Sequence, residues 1–304
     1  MSDNKFKGVI VPTITPFDEN GEILEDAFQA YLSFFIGKVH GISIGAIYGS
    51  GMLMRMDQRK RLAEIAIEVT SGALPVSVFV GFPDTDNAVD LCRHAEKIGA
   101  SAISCVQPIY YKQVDEAIYK HYKALIEAVD IPVFAYDSPV FAGNNISLSN
   151  LERLAEAGLA GIISGQATYG IDHVWTILRT INKPGFDVFS IRDGLALPSM
   201  MMGAIGFETG VGNFYPELVV ELYNTILEKN HDHASILQNR VLKLRDLSHG
   251  FGKNIPTLHA LIEMRGLRTG FPRRPFFSLS SDEKNKLRNG LKNVGFNLPL
   301  NLSD

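Results

Sequence analysis

The stretch DQRKRLAEIAIEVTSGALPVSVFVG, Asp57 to Gly81, reads as one helix followed by one strand. Leu62, Ile65, Ala66 and Val69 recur at the spacing that lines one face of a helix. Asp57 stands where a side-chain cap begins a helix, and Gly72 where glycine ends one, because glycine enters the left-handed region freely. Val76, Val78 and Phe79 then make the following run, Val76 to Gly81, apolar at both parities, as a strand covered on both faces requires.

The same unit repeats in both directions along the chain. β-rich runs occur at Gly8 to Thr15, Ile42 to Ile47, Ala102 to Gln107, Pro132 to Tyr136, Gly161 to Ser164, Val188 to Ile191 and Phe207 to Val211. Helix-period segments such as Asp115 to Val129 lie between them, and Gly99, like Gly72, marks a helix stop before a strand. Eight strand–helix units predict an α/β protein with a (β/α)₈ TIM barrel rather than an open doubly wound sheet. Helical pattern continues after the eighth strand, over Pro216 to Asn230, Ala234 to Leu247, Ile255 to Arg265 and Ser281 to Val294. The expected division is a barrel over residues 1–225 and a C-terminal helical region over 226–304, with Phe271-Pro272-Arg273-Arg274-Pro275 as a rigid connector.

Composition narrows the partners. The 304 residues are 46% hydrophobic and 20% charged with a net charge of -4, which offers no footprint for nucleic acid or an anionic membrane. No apolar stretch approaches the ~20 residues of a membrane span, and Met1-Ser2-Asp3-Asn4-Lys5 starts no secretory leader, so a cytoplasmic protein with small-molecule or protein partners is expected. Cys92 and Cys105 have no metal-ligand spacing and read as core residues. The histidines are scattered; His173 alone follows a strand end, where a structural role is the simpler reading. Phosphate-loop and dinucleotide glycine patterns are missing, and no metal or cofactor is expected. Met200-Met201-Met202 reads as core packing.

A barrel of this kind carries its site at the C-terminal strand ends. Strand one ends Thr13-Ile14-Thr15-Pro16-Phe17, strand two runs into Tyr48-Gly49-Ser50-Gly51, strand four into Pro108-Ile109-Tyr110-Tyr111 and strand five into Tyr136-Asp137-Ser138-Pro139. With Gly203-Ala204-Ile205-Gly206 before strand eight, Asn213 after it and Asn254-Ile255-Pro256 in the tail, this set resembles the dihydrodipicolinate synthase and N-acetylneuraminate lyase family of class I aldolases. The resemblance covers nearly the whole chain. It implies a homotetramer or homodimer, and lyase chemistry through a lysine imine with pyruvate or a related 2-keto acid. It also implies that Tyr136 matches the family's proton-relay tyrosine and Tyr110 the tyrosine that reaches into a neighbouring subunit's site.

Against that pattern the chain departs at the positions that carry the chemistry. The family's Gly-Ile-Lys run on strand six is Gly161-Ile162-Ile163-Ser164, and an isoleucine cannot condense with a carbonyl. The loop after strand two keeps Ser50 and Gly51 but has Met52, and Phe141 stands where the synthase branch carries a carboxylate-clamping arginine. Strand seven brings Ile191, Arg192 and Asp193, and strand eight brings Glu208, where the family prefers an aliphatic residue. Lys112 alone among the lysines weighed follows a strand end, and it reads as a solvated loop residue.

The candidate site therefore comprises Tyr136 and Tyr110 as catalytic candidates, with Ser50, Gly51, Asp137, Ser164, Gln166, Arg192 and Glu208 for ligand contact. Arg192 is expected to pair with Asp193 or to meet an anionic ligand, and Glu208 to need a buried partner, for which Arg192 is the candidate. Two functions follow. One is a divergent family protein that has lost imine chemistry and binds a small ligand, such as a keto acid or sugar acid, or serves as a partner protein. The other is an aldolase or hydro-lyase acting on such an acid without a Schiff base.

Overall fold

The computed structural model describes residues 6–164 and 170–296. Among these residues eight parallel strands form one closed barrel in sequence order: β1 (Gly8–Pro12), β2 (Gly41–Ile44), β3 (Val76–Phe79), β4 (Ala102–Val106), β5 (Val133–Tyr136), β6 (Gly161–Ser164), β7 (Asp187–Ser190) and β8 (Gly206–Glu208). Closure is made by β1 on β8, with Val9 opposite Phe207 and Ile10 opposite Glu208. Helices α1 (Glu25–Ser33), α2 (Met56–Thr70), α3 (Thr85–Lys97), α4 (Asp115–Ala128), the one-turn α5 (Pro139–Ala142), α6 (Leu148–Glu156), α7 (Gly170–Thr180), α8 (Ala196–Met202) and α9 (Pro216–Leu227) alternate with the strands. Helices α10 (His231–His249), α11 (Asn254–Met264) and α12 (Ser281–Asn293) follow.

Strand alternation sorts the side chains into two cores. Val9, Val11, Ile42, Ile44, Val76, Val78, Ile103 and Ile162 pack outward against the helices, which is why the runs are apolar at both parities. Inside the barrel Phe6, Ile10, Phe79, Phe134, Tyr136, Ile163 and Phe189 form a second cluster. Phe6, Phe134 and Phe189 close on one another with ring centroids 5.7 to 5.8 Å apart, in tilted and edge-on arrangements that suit aromatic quadrupoles. The interior is filled, not a pore.

Several expected runs are longer than the strands because their C-terminal residues leave the sheet to build loops. Thr13 still donates its backbone N–H to the Ser43 carbonyl at 2.9 Å, but Thr15 turns its hydroxyl to the Gly49 carbonyl at 2.9 Å. Gly49 and Gly51 are packed onto Gly45: a Cβ on Gly51 would lie 1.8 Å from the Gly45 carbonyl oxygen, so glycine is required there by contact. Asp57 does not cap α2. That helix starts one residue earlier, after Arg55, whose N–H is accepted by the Gln58 side chain at 3.2 Å, while Asp57 pairs with the Arg55 guanidinium at 3.1 Å. Of the three consecutive methionines only Met200 packs against the core; Met201 and Met202 are exposed.

The segment Phe271 to Pro275 is fastened to the loop after β1. Phe271 exchanges backbone hydrogen bonds with Phe17 at 2.7 and 3.2 Å, and Arg273 donates to the Gly21 carbonyl. Helix α10 is held over the barrel by Gln238, which donates to the Asp193 carbonyl at 2.7 Å and accepts from the Leu197 N–H at 3.0 Å. That pair of bonds brings the end of α10 above the C-terminal strand ends.

Candidate functional site

A cavity of about 600 Å³ opens at the C-terminal strand ends, within the size range of small-molecule sites. Tyr48, Tyr136, Arg192, Asp193 and Glu208 line it from the barrel, and Arg245, His249 and Lys253 from α10 and the turn after it. Pro275, Phe276 and Phe277 close one side.

Glu208 sets the electrostatics. It is the last residue of β8 and turns inward by the alternation that sends Phe207 out into the helix-facing core. It is 1% exposed, and neither carboxyl oxygen has a hydrogen-bond partner among the described residues. Burial pushes its pKa up to about 8, an effect that the Ser43 hydroxyl offsets in part without closing a hydrogen bond. A carboxyl so raised favours its protonated form at neutral pH, in which it can donate one hydrogen bond and accept another. Tyr136 and Tyr48 face it, and burial, with the nearby carboxylates, holds both phenols above the ordinary tyrosine range.

Asp193 is satisfied locally. The Thr209 hydroxyl donates to it at 2.5 Å and the Val211 N–H at 3.4 Å. Burial raises its pKa, and those donors together with Arg245 and His249 oppose the rise. The expected Arg192–Asp193 ion pair does not form, nor does a Glu208–Arg192 pair, and among the described residues Arg192 has no ion-pair partner. Asp193 is held by the loop after β8, and both residues line the cavity.

Asp137 is committed elsewhere. Its carboxylate accepts from Gln107 Nε2 at 2.6 Å, Ser164 Oγ at 2.9 Å and His173 Nε2 at 3.1 Å, tying β4, β5, β6 and α7 together beside the cavity. Asp137 and Ser164 thus belong to one buried network and not to the cavity lining. Ser50, with φ 56°, and Gly51 shape the loop after β2, from which Ile47 and Tyr48 reach the cavity. Tyr110 has φ 75°, is 87% exposed and stacks edge-on against Tyr111, away from the lining. Gln166 lies outside the described residues. Of the residues expected from the sequence, the cavity brings together Tyr136, Arg192 and Glu208, with Phe141 at its rim.

Ile163 is 1% exposed inside the barrel and is the register partner of Tyr136. Lys112 donates to the Gly143 carbonyl on the surface. Lys253, which the sequence reading passed over, does line the cavity, but its ammonium meets Glu283 at 2.7 Å and lies 4.8 Å from the centre of the Phe277 ring. Arg245, His249 and Lys253 were hidden in a tail that reads as an appendage; the available signal was Asn254-Ile255-Pro256, directly after Lys253, already singled out as part of the resemblance. Among the described residues no group of three or more His, Cys, Asp and Glu side chains is placed to hold a metal ion, and no helix is long and apolar enough to cross a membrane.

The sequence matches the Dihydrodipicolinate synthetase family over residues 5–294. It is 31% identical over 296 residues to the 4-hydroxy-tetrahydrodipicolinate synthase of Desulfotalea psychrophila, covering 97% of this chain and 98% of the relative. It is 32% identical over 245 residues to a probable 2-dehydro-3-deoxy-D-pentonate aldolase of Escherichia coli, covering 79% and 81%. The crystal structure of dihydrodipicolinate synthase from Aquifex aeolicus superimposes with a TM-score of 0.89 at 27% identity, covering 96% of this chain and 99% of that one.

Proposed function

This chain belongs to the dihydrodipicolinate synthetase family, and from that premise we propose that it is a divergent member that works without a lysine imine and binds a small keto acid or sugar acid in the barrel mouth. The observation that carries this reading is Ile163, buried in the interior cluster directly across from Tyr136, where the resemblance implies an amine. An imine needs an uncommitted nitrogen nucleophile aimed into the cavity. Lys253 is engaged by Glu283, and Lys112 by a surface carbonyl. The names of the relatives, a synthase of 4-hydroxy-tetrahydrodipicolinate and a probable sugar-acid aldolase, point to a small acid as the ligand.

A second reading has its own observation. Glu208, whose pKa burial pushes up to about 8 and which lines the cavity with Tyr136, Tyr48 and Arg192, suits a general acid–base role, which favours an aldolase or hydro-lyase acting by proton transfer alone. In either case Tyr136 is the residue that the resemblance matches to the relay tyrosine. Assembly as a homodimer or homotetramer fits the exposure of Tyr110, Tyr111, Val140 and Phe141 on the loops after β4 and β5.

The test is reductive trapping. The purified protein incubated with pyruvate and borohydride is expected to keep its unmodified mass, whereas a covalent pyruvyl increment overturns the imine-free reading.

A further inference from the structure

Two residues that line the cavity lack a side-chain partner among the described residues. Glu208 has two buried carboxyl oxygens that bond to nothing among the described residues, and Arg192 has a guanidinium that pairs with no carboxylate there. The neighbouring ionisable groups are otherwise engaged: Asp193 by Thr209, Arg245 by Asp246 at 3.2 Å, Lys253 by Glu283. An unpartnered buried carboxyl destabilises a fold, since its lost hydration is not replaced. An apolar residue, which is what the family resemblance implies on strand eight, would fill the same space without that penalty. A polar group kept in such a place is explained by a ligand that completes it.

The two groups differ in what they recognise. Arg192 offers a planar fork of N–H donors that matches a carboxylate. Glu208 stands in a floor too dry to hold a second anion and offers one O–H donor and one carbonyl acceptor, the complement of a hydroxyl or carbonyl oxygen.

We infer that Arg192 and Glu208 together set ligand specificity: Arg192 takes the carboxylate of a hydroxylated or oxo monocarboxylic acid, and Glu208 takes an oxygen of the same molecule further along its chain. This rests on the imine-free binding site argued above and names its ligand class and the residues that read it. A second carboxylate set against Glu208 is disfavoured, because it would meet another acid in a buried floor. Binding weakens as Glu208 ionises, through about pH 8.

Calorimetric titration of the full-length protein with gluconate, hexanoate and sorbitol separates the two contacts, because these probes carry both groups, the carboxylate alone and the hydroxyls alone. Gluconate is expected to bind at least about ten-fold more tightly than either partial probe, since losing a partner leaves a buried polar group unpaired. Arg192→Gln and Glu208→Leu should each weaken gluconate by about ten-fold or more, while Glu208→Gln, which keeps a donor and an acceptor, should stay within a few-fold. In the unliganded protein Glu208→Leu should raise the thermal midpoint by a few degrees, and the infrared difference spectrum between wild type and Glu208→Gln should show the C=O stretch of an un-ionised carboxylic acid. Equal binding of hexanoate and gluconate, no binding of gluconate, or a lower midpoint for Glu208→Leu overturns the inference. If Glu208→Leu does not fold, the infrared band and Glu208→Gln decide: absence of the band at neutral pH overturns it. None of these readouts involves an imine, so a pyruvate adduct and a failure here are distinguishable outcomes.

Discussion

Tyr136 and Ile163 are register partners on β5 and β6, and both turn inward into the same apolar cluster. A side chain at position 163 therefore meets the interior of the barrel beside a phenol that burial holds un-ionised. This relationship makes the position a direct place to test whether the barrel can still support an imine.

Ile163→Lys puts an amine into that space. Burial disfavours an ammonium, so the nitrogen is pushed toward its nucleophilic neutral form. The variant should lose about 2–4 kcal/mol in urea unfolding, as expected for a buried polar replacement in a packed core. It should also gain a pyruvate-dependent borohydride adduct absent from the wild type. Wild-type stability in the variant would show that position 163 does not face a closed interior.

Glu208 gives the stability curve a slope of known sign. Its folded pKa of about 8 lies above the ordinary value of 4.5, so the folded state holds a proton that the unfolded state has released. Stability attached to this group is complete below about pH 4.5, falls as pH rises, and is lost above about pH 8. Urea midpoints of wild type and Glu208→Gln should therefore diverge across that window in favour of the variant, by an amount on the order of a few kcal/mol at the alkaline end. Parallel curves would mean that Glu208 ionises normally.

Two buried histidines act in the opposite direction. His121 bonds to the Thr85 hydroxyl at 2.9 Å and lies 3.5 Å from Cys105 Sγ, with burial lowering its pKa to about 4. His259 is lowered by burial to about 3, and its Nδ1 has no hydrogen-bond partner among the described residues. The unfolded chain takes up protons at these groups below about pH 6.5 while the folded chain does not, so stability is lost as pH falls from there toward the folded values. His121→Gln should flatten the acid limb of the urea midpoint curve by about one proton. An unchanged limb would exclude His121 as a source of acid lability.

Asp193→Ala removes the acceptor that serves the Thr209 hydroxyl and the Val211 N–H. Leaving both donors buried and unpaired should cost about 1–3 kcal/mol, measured by chemical unfolding at neutral pH. A neutral effect would mean that the loop after β8 relaxes and finds other acceptors.

Tyr110 tests self-association. It is 87% exposed and packs edge-on against Tyr111, in a loop tied to the one after β5 by Asn144, which donates to the Pro108 and Tyr111 carbonyls. Tyr110→Glu should shift the sedimentation coefficient to a smaller species while the far-ultraviolet circular dichroism stays the same. An unaltered sedimentation profile would place the subunit contact elsewhere.

The barrel could be read from the sequence because a parallel strand buried on both faces leaves a continuous apolar run, and eight such runs separated by helical periodicity fit a closed sheet. Ile163 was readable for the same reason, since β6 begins and ends where its apolar run does. Arg192 and Glu208 could be picked out as polar residues at strand ends, but not their state. The expected pair between them failed because a strand sequence tells which face a side chain takes and not how far it lies from a charge on the next strand.

Sequence alone determined the architecture and the lack of an amine on β6, since both follow from which residues occupy which parity of a strand. Tertiary structure decided which polar groups are spent and which are left over. Asp137 is consumed by Gln107, Ser164 and His173, three side chains distant in the chain, and α10 carries Arg245 and His249 over the mouth through the two bonds of Gln238. Hydrogen-bond pairing and desolvation depend on distances across the fold, which local periodicity does not encode. That is why Glu208 reads in sequence as a residue in need of a partner and stands in the structure buried, without a hydrogen-bond partner among the described residues.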